Sequence, residues 1–290
     1  MNNFQESPSP IDNSPITLNC NGKLINLDEP KIMGILNVTP DSFYDGGKFT
    51  EEKAIIERVQ QMVFHGATFI DIGAQSTRPG AAIIEENEEI SRLIPSINLI
   101  IRNLPDVLIS VDTMRSKVAK QAINAGASLI NDVSGGEHDP SMFDFIAQSR
   151  VPYVLMHTQG TPETMQQNPE YDHVVADIYS ILVQKVLVLR RKGVKDIVLD
   201  PGFGFGKTVV HNFKLLKMLG FFKNSGCPVL AGISRKSMVC KTLKVNPDKA
   251  LNGTTALHMA ALMNGASILR VHDVKEAAEV VKLFLAYQNS

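Results

Sequence analysis

The chain of 290 residues lacks the features that announce several large function classes. Its three cysteines, Cys20, Cys227 and Cys240, stand far apart with no CxxC pair. Neither a disulfide frame nor a zinc site is expected from them, and so sparse and odd a set fits a reducing, cytoplasmic compartment. Charge of one sign is also missing: the formal net charge is −1, so bulk electrostatics favour neither nucleic acid nor an anionic membrane surface. No apolar run approaches the ~18 residues of a membrane span. No basic-plus-apolar segment with a cleavage site stands at the N-terminus, so no signal peptide is expected.

What is present is a rhythm. Residues 1–15, MNNFQESPSPIDNSP, are polar and proline-rich, and are expected to form a flexible tail because they cannot bury enough apolar surface to offset ordering. ITLNCNGKLINL then alternates around Asn21-Gly22, a two-residue hairpin signal. After it come eight apolar segments: KIMGILNV, TFIDIGA, DVLISVD, SLINDVS, VPYVLMH, DIVLDP, PVLAGIS and SILRVH. Amphipathic stretches of helical length separate them, such as Glu51 to His65 and Asp172 to Lys192, and Gly66, Gly126, Gly193 and Gly265 stand where helix ends are expected. Strands rich in Ile, Val and Leu without clean alternation fit a parallel sheet buried on both faces. An open doubly wound sheet would show the same β-α alternation. Eight units with polar groups after nearly every one favour an α/β TIM (β/α)8 barrel with an N-terminal β-hairpin, one domain over residues 16–290.

Those polar groups close the strands. They are Asn37, Ser76-Thr77-Arg78, Asp112, Asn131 with Asp132, His157, Asp200, Ser234 to Ser237 (SRKS), and Arg270 with His272 (RVHD). Barrel active sites form at that rim, and phosphate sits at the loops after the last two strands, where SRKS and RVHD fall. A phosphorylated ligand is expected; a solvated basic rim is the plainer alternative. Asp112, Asn131 and Asp200 suit a flat heterocycle with an amino-pyrimidinone edge, because buried carboxylates need donors to offset desolvation. A divalent metal on Asp112 and Asp200 is the other reading, weakened by the lack of a third carboxylate at that depth. DPGFGFGK, Asp200 to Lys207, ends like a phosphate loop but lacks the Walker glycine spacing. It reads as a flexible rim loop in which Phe203 and Phe205 either wall the site or anchor the loop.

Six motifs then carry a resemblance: GILNVTPDSFYDGG (Gly34 to Gly47), STRPGA (Ser76 to Ala81), INDVSGG (Ile130 to Gly136), LDPGFGFGK (Leu199 to Lys207), GISRKS (Gly232 to Ser237) and RVHDV (Arg270 to Val274). In order and spacing the chain resembles the dihydropteroate synthase family over nearly all of its length after the tail, and MHTQGTPETMQ (Met156 to Gln166) fits as well. The resemblance implies a pterin-binding barrel. It implies a transferase of folate (tetrahydrofolate) biosynthesis that joins (7,8-dihydropterin-6-yl)methyl diphosphate to 4-aminobenzoate, giving 7,8-dihydropteroate and diphosphate, with Mg²⁺, and that sulfonamides block. Carried over by position, Thr77, Arg78, Asp112, Asn131, Asp200, Lys236, Arg270, Val271 and His272 bind the pterin diphosphate. Phe43, Thr77, Pro79, Phe205, Lys236 and Ser237 line the aminobenzoate site, and Asn37 ligates the metal. Asp200, Lys236 and Arg270 are the candidate catalytic residues, and the implied assembly is a homodimer. One departure is Ile72 to Gln75, IGAQ, where the family commonly has Gly-Gly-Glu. Two other classes compete: the folate-binding module of corrinoid methyltransferases, which should lack STRPG and SRKS, and a non-catalytic homologue, which should have lost Asn37, Lys236 or Arg270.

Overall fold

The structure, a computed structural model, describes residues 16–38, 48–75, 84–160 and 169–290. Phe43, Thr77, Arg78 and Pro79, together with the expected tail, lie outside them. Strands β1 (Thr17–Cys20) and β2 (Lys23–Asn26) pair antiparallel with Cys20 opposite Lys23, leaving Asn21 and Gly22 as the turn. Both have positive φ, 52° and 90°, which is the conformation a twisted two-residue hairpin turn demands.

Eight parallel strands follow: β3 (Lys31–Asn37), β4 (Phe69–Gly73), β5 (Leu108–Asp112), β6 (Leu129–Asp132), β7 (Tyr153–Met156), β8 (Ile197–Asp200), β9 (Leu230–Ala231) and β10 (Ile268–Val271). Their order is β8-β7-β6-β5-β4-β3-β10-β9, and a parallel bridge between Leu199 and Val229 joins β8 to β9 and closes the barrel. The helices between them are α1 (Lys48–Phe64), α2 (Glu86–Asn103), α3 (Ser116–Asn124), α4 (Met142–Ser149), α5 (Val174–Arg191), α6 (Val209–Lys217), α7 (Ser237–Leu243), α8 (Leu251–Met263) and α9 (Val274–Gln288). All eight expected strands are found. The four glycines expected at helix ends follow α1, α3, α5 and α8 with positive φ.

Side-chain alternation sorts the strands into two faces. Ile70, Ile72, Ile109, Val111, Leu155, Leu199, Leu269 and Val271 point outward into the main core beneath the helices. Met33, Phe69, Leu108, Leu129, Val154, Val198, Leu230 and Ile268 point inward at the strand beginnings, where Leu18, Cys20, Ile25 and Leu27 of the hairpin region pack on them. The N-terminal end of the barrel is thus plugged with apolar groups. Each inward position two residues further on comes from the same face. That step reaches Asp71, Ser110, Asn131, Asp200 and Arg270, a polar layer stacked on an apolar one.

Candidate active site

Arg270 stands at the centre of this layer. Its Nε donates to Asp71 Oδ2 at 2.6 Å and its Nη2 to Asp112 Oδ2 at 2.8 Å. Asp71, fully buried on β4, also accepts Ser110 Oγ at 2.5 Å and Asn131 Nδ2 at 3.0 Å. Burying one guanidinium between two carboxylates is tolerable because each charge finds donors or acceptors. Burial works against the Arg270 charge, yet Asp71 and Asp112 together hold its pKa above the ordinary value. Burial pushes the Asp112 carboxyl up to about 7 against the pull of Arg270, and Asp71, Glu89 and Asp132 add to the rise. Two nitrogens of the Arg270 fork, Nε and Nη2, are thus occupied by protein carboxylates.

Asp200 closes β8. Its Oδ1 accepts the Gly202 N–H at 2.7 Å, and burial raises its pKa despite that bond and the nearby Lys236, Arg270 and Lys207. Lys236 precedes the first turn of α7 and places Nζ 4.1 Å from the centre of the Phe205 ring, a cation–π contact. Burial and then Arg270 bring its ammonium down to about 8, with Asp200 and Asp112 opposing. Ser237 opens α7 and is exposed. His272 Nδ1 lies 3.0 Å from Ser234 Oγ, in hydrogen-bond contact, and that same oxygen accepts the His272 N–H at 3.2 Å. Burial first, then Arg270, lowers the His272 pKa to about 4, so the ring is neutral at pH 7.

The expected site residues that the structure describes do not all face the mouth with side chains. Val271 points outward and is wholly buried in the main core, so any contact it makes is through its backbone. Asp132 organises its own turn, accepting Ser134 N and Oγ, Gly136 N and Tyr153 Oη. Arg235, the first basic residue of SRKS, turns away to hold Asp273 with two bonds of 2.8 Å and takes no part in an anion site. The loop Asp200 to Lys207, expected to be flexible, is pinned. Phe203 is 1% exposed in the main core and anchors it, whereas Phe205 joins Val133 and Met156 in a small apolar cluster with Met114 packed on it. Two residues escaped the sequence reading. Asp71 was a lone carboxylate inside the apolar run FIDIG, and period-two stepping from Phe69 points to it. Lys207 is 1% exposed, and nothing local in the sequence signals that burial.

Comparison with known proteins agrees with this geometry. Residues 33–272 match the family described as pterin binding enzyme. The chain is 41% identical over 264 residues to the dihydropteroate synthase of Escherichia coli strain K12, covering 90% of this chain and 93% of that one. The chain belongs to the dihydropteroate synthase family. Its fold superposes on Xanthomonas albilineans dihydropteroate synthase with 4-aminobenzoic acid at a TM-score of 0.88, with 38% identity, covering 96% of this chain and 100% of that one. It superposes equally well, TM-score 0.88 and 40% identity, on the Yersinia pestis dihydropteroate synthase in a sulfonamide drug complex, covering 95% and 100%. The activity is a transferase step of folate synthesis: (7,8-dihydropterin-6-yl)methyl diphosphate and 4-aminobenzoate give 7,8-dihydropteroate and diphosphate. The methyltransferase module and the non-catalytic homologue are not favoured.

Proposed function

We propose that the polar layer of the barrel mouth is the pterin subsite of this reaction. Asp112, Asn131 and Asp200 would meet the amino-pyrimidinone edge, Lys236 would donate to the ring, and Arg270 would lie over it toward the diphosphate. The observation that carries this reading is the Arg270 guanidinium held between Asp71 and Asp112, directly above the apolar plug and beside Asn131. Phe205, Lys236 and Ser237, with Phe43, Thr77 and Pro79, would receive the arylamine, and a sulfonamide would compete there. Thr77, Arg78 and His272, and Val271 through its backbone, would complete the diphosphate contacts, His272 as a neutral ring.

The chemistry needs little proton transfer from the protein. The CH₂–O bond breaks with its electron pair leaving on the diphosphate, and the electron-rich ring shares the positive charge left on the carbon. The neutral aniline nitrogen then bonds to the CH₂ and passes a proton to water or to the departing diphosphate. Arg270 and His272 would stabilise the departing charge, the kind of fixed electrostatic contribution that weighs most in catalysis.

Among the described residues no group of three or more His, Cys, Asp or Glu could hold a metal by itself. Asn37 ends β3 exposed, its Oδ1 3.8 Å from where a Cβ on Gly73 would stand. One amide oxygen suits Mg²⁺ that is carried mainly by the diphosphate and water. Asn37 would hold such an ion, which when bound would neutralise charge on the leaving group. We also place the enzyme in the cytoplasm as a homodimer. Free Cys20, Cys227 and Cys240 support the first, and exposed Phe64, Met263, Leu283 and Tyr287 on the helical side support the second. No helix of the described residues is long and apolar enough to cross a membrane. The deciding experiment measures diphosphate release with both substrates, with and without Mg²⁺ and with aminobenzoate omitted. Release that ignores Mg²⁺ would overturn the metal assignment, and release without arylamine would reassign the chemistry to hydrolysis.

A further inference from the structure

Lys207 is buried to 1% exposure beneath the rim loop, and its Nζ has three acceptors: Phe205 O at 2.7 Å, His157 Nδ1 at 3.0 Å and His157 O at 3.3 Å. Burial lowers the Lys207 pKa to about 7 against the pull of Asp200, and an apolar side chain would fill the same space at less cost. The acceptors explain its presence. The loop lies on the end of β7 with backbone against backbone. A Cβ on Gly202, whose φ is +72°, would fall 1.9 Å from His157 O, and one on Gly206 would fall 2.7 Å from Gln159 O. With the two backbones so close, the donor that reaches the carbonyls of His157 and Phe205 among the described residues is this one amine. Tyr171 adds a second pin from outside the barrel, donating from Oη to Gly206 O at 2.8 Å. What the pins hold is the Phe205 ring, on which the Lys236 ammonium rests.

We infer that Lys207 is a positioning residue for the arylamine half of the reaction: it ties the Asp200–Lys207 loop to the end of β7 and so fixes Phe205 and Lys236 as one wall of the aminobenzoate subsite. This rests on the assignment of Phe205 and Lys236 to that subsite. Burial and then Lys207 itself lower the pKa of the His157 ring to about 3. The histidine is neutral throughout the working range.

The test compares Lys207→Met with Phe205→Ala in the full-length protein. Three quantities are read: pterin diphosphate affinity by calorimetry, the 4-aminobenzoate KM and kcat, and amide exchange at Gly202 to Gly206. Lys207→Met should raise the aminobenzoate KM roughly tenfold, because a small displacement of a positioned wall is amplified in the bound geometry. Exchange in the loop should quicken, while kcat at saturating aminobenzoate and pterin affinity stay unchanged. A raised KM in Phe205→Ala with an unaltered KM in Lys207→Met would overturn the inference and leave the subsite standing. An unaltered KM in both would bring down the subsite and the inference with it. Weakened pterin affinity with an unaltered KM would show that Lys207 acts through the charge of Asp200, and would also overturn it. Should Lys207→Met fail to fold, Tyr171→Phe decides. Loss of its hydroxyl should quicken exchange at Phe205 and Gly206 and raise the aminobenzoate KM, and no change in either would overturn the proposal.

Discussion

Asp71, Asp112, Asn131 and Arg270 stand on strands, whereas Phe205 and Lys207 stand on a loop, and the two groups are placed by different means. On the strands, alternation and parallel register do the work. Asp71 pairs with Ser110 and Asp112 with Asn131 across the ladder, so four groups converge without any local device. On the loop, each group needs its own hydrogen bonds: Asp200 to Gly202 N, Asn212 to Gly204 N, Tyr171 to Gly206 O, and Lys207 to His157. The strand-borne half should therefore be sensitive to lost charge and insensitive to loop motion. The loop-borne half should be the reverse.

The sharpest break falls on Arg270. Arg270→Lys keeps the charge but cannot donate to Asp71 and Asp112 together and still face a diphosphate. Turnover should fall roughly 100-fold, as when a fixed donor to developing charge is removed. Arg270→Met should in addition leave two buried carboxylates facing each other, a loss of ~3–5 kcal/mol in urea unfolding. Full stability in the Met variant would mean that the two carboxyls share a proton when the cation is gone. Next in size is Asp200→Ala, which should weaken pterin diphosphate binding by ~1–3 kcal/mol, because ligand donors lose their acceptor. Calorimetry showing unchanged affinity would remove Asp200 from the pterin set and shift the subsite toward Asp112.

Much of this site could be read in the sequence because barrel strands announce themselves twice, as apolar runs and by the polar residues that close them. Asp112, Asn131, Asp200 and Arg270 were legible on that basis. Asp71 was not, because a carboxylate inside a strand has no flanking turn to mark it; only its inward step from Phe69 does. Val271 was carried along by its neighbours, although alternation alone turns its side chain outward. Arg235 shares a motif with Lys236, yet it adopts φ +56°, its N–H bonds Thr254 Oγ1 at 3.1 Å, and its guanidinium goes to Asp273. The loop Asp200 to Lys207 looked flexible from its glycines. Those glycines instead allow two backbones to touch, and partners distant in sequence hold them there.

A smaller effect separates the halves by pH. Asp112 is protonated below about 7 in the free enzyme, because burial raises its pKa. A protonated carboxyl accepts fewer hydrogen bonds, so pterin affinity should fall as pH drops below about 7. Lys236, lowered to about 8, should give a second decline above that value as it loses its proton. Affinity measured from acid to alkaline pH should therefore peak between the two, and Asp112→Asn should abolish the acid limb only. If the acid limb survives in Asp112→Asn, it belongs to Asp200, the other carboxyl whose pKa burial raises.

The smallest expected change lies outside both halves and controls for them. His258 on α8 is 1% exposed, and neither ring nitrogen has a hydrogen-bond partner among the described residues. Burial lowers its pKa to about 4, with His272 adding to the fall and Asp273 opposing it. In the unfolded chain the ring takes a proton below ~6.5. In the folded chain it does so only near 4, so its neutral burial weakens the fold as pH falls from the first value to the second. His258→Leu keeps the volume approximately and removes the unpaired nitrogens, which should stabilise the protein by ~1–3 kcal/mol at pH 7. The gain should be larger at pH 5, where the wild type alone suffers the proton mismatch. Urea unfolding at the two pH values checks this. An equal gain at both would mean that the folded ring titrates normally, and a loss at pH 7 would mean that a nitrogen of His258 is paired after all. Pterin affinity and the aminobenzoate KM should stay at wild-type values throughout, since the polar layer and the pinned loop are left intact.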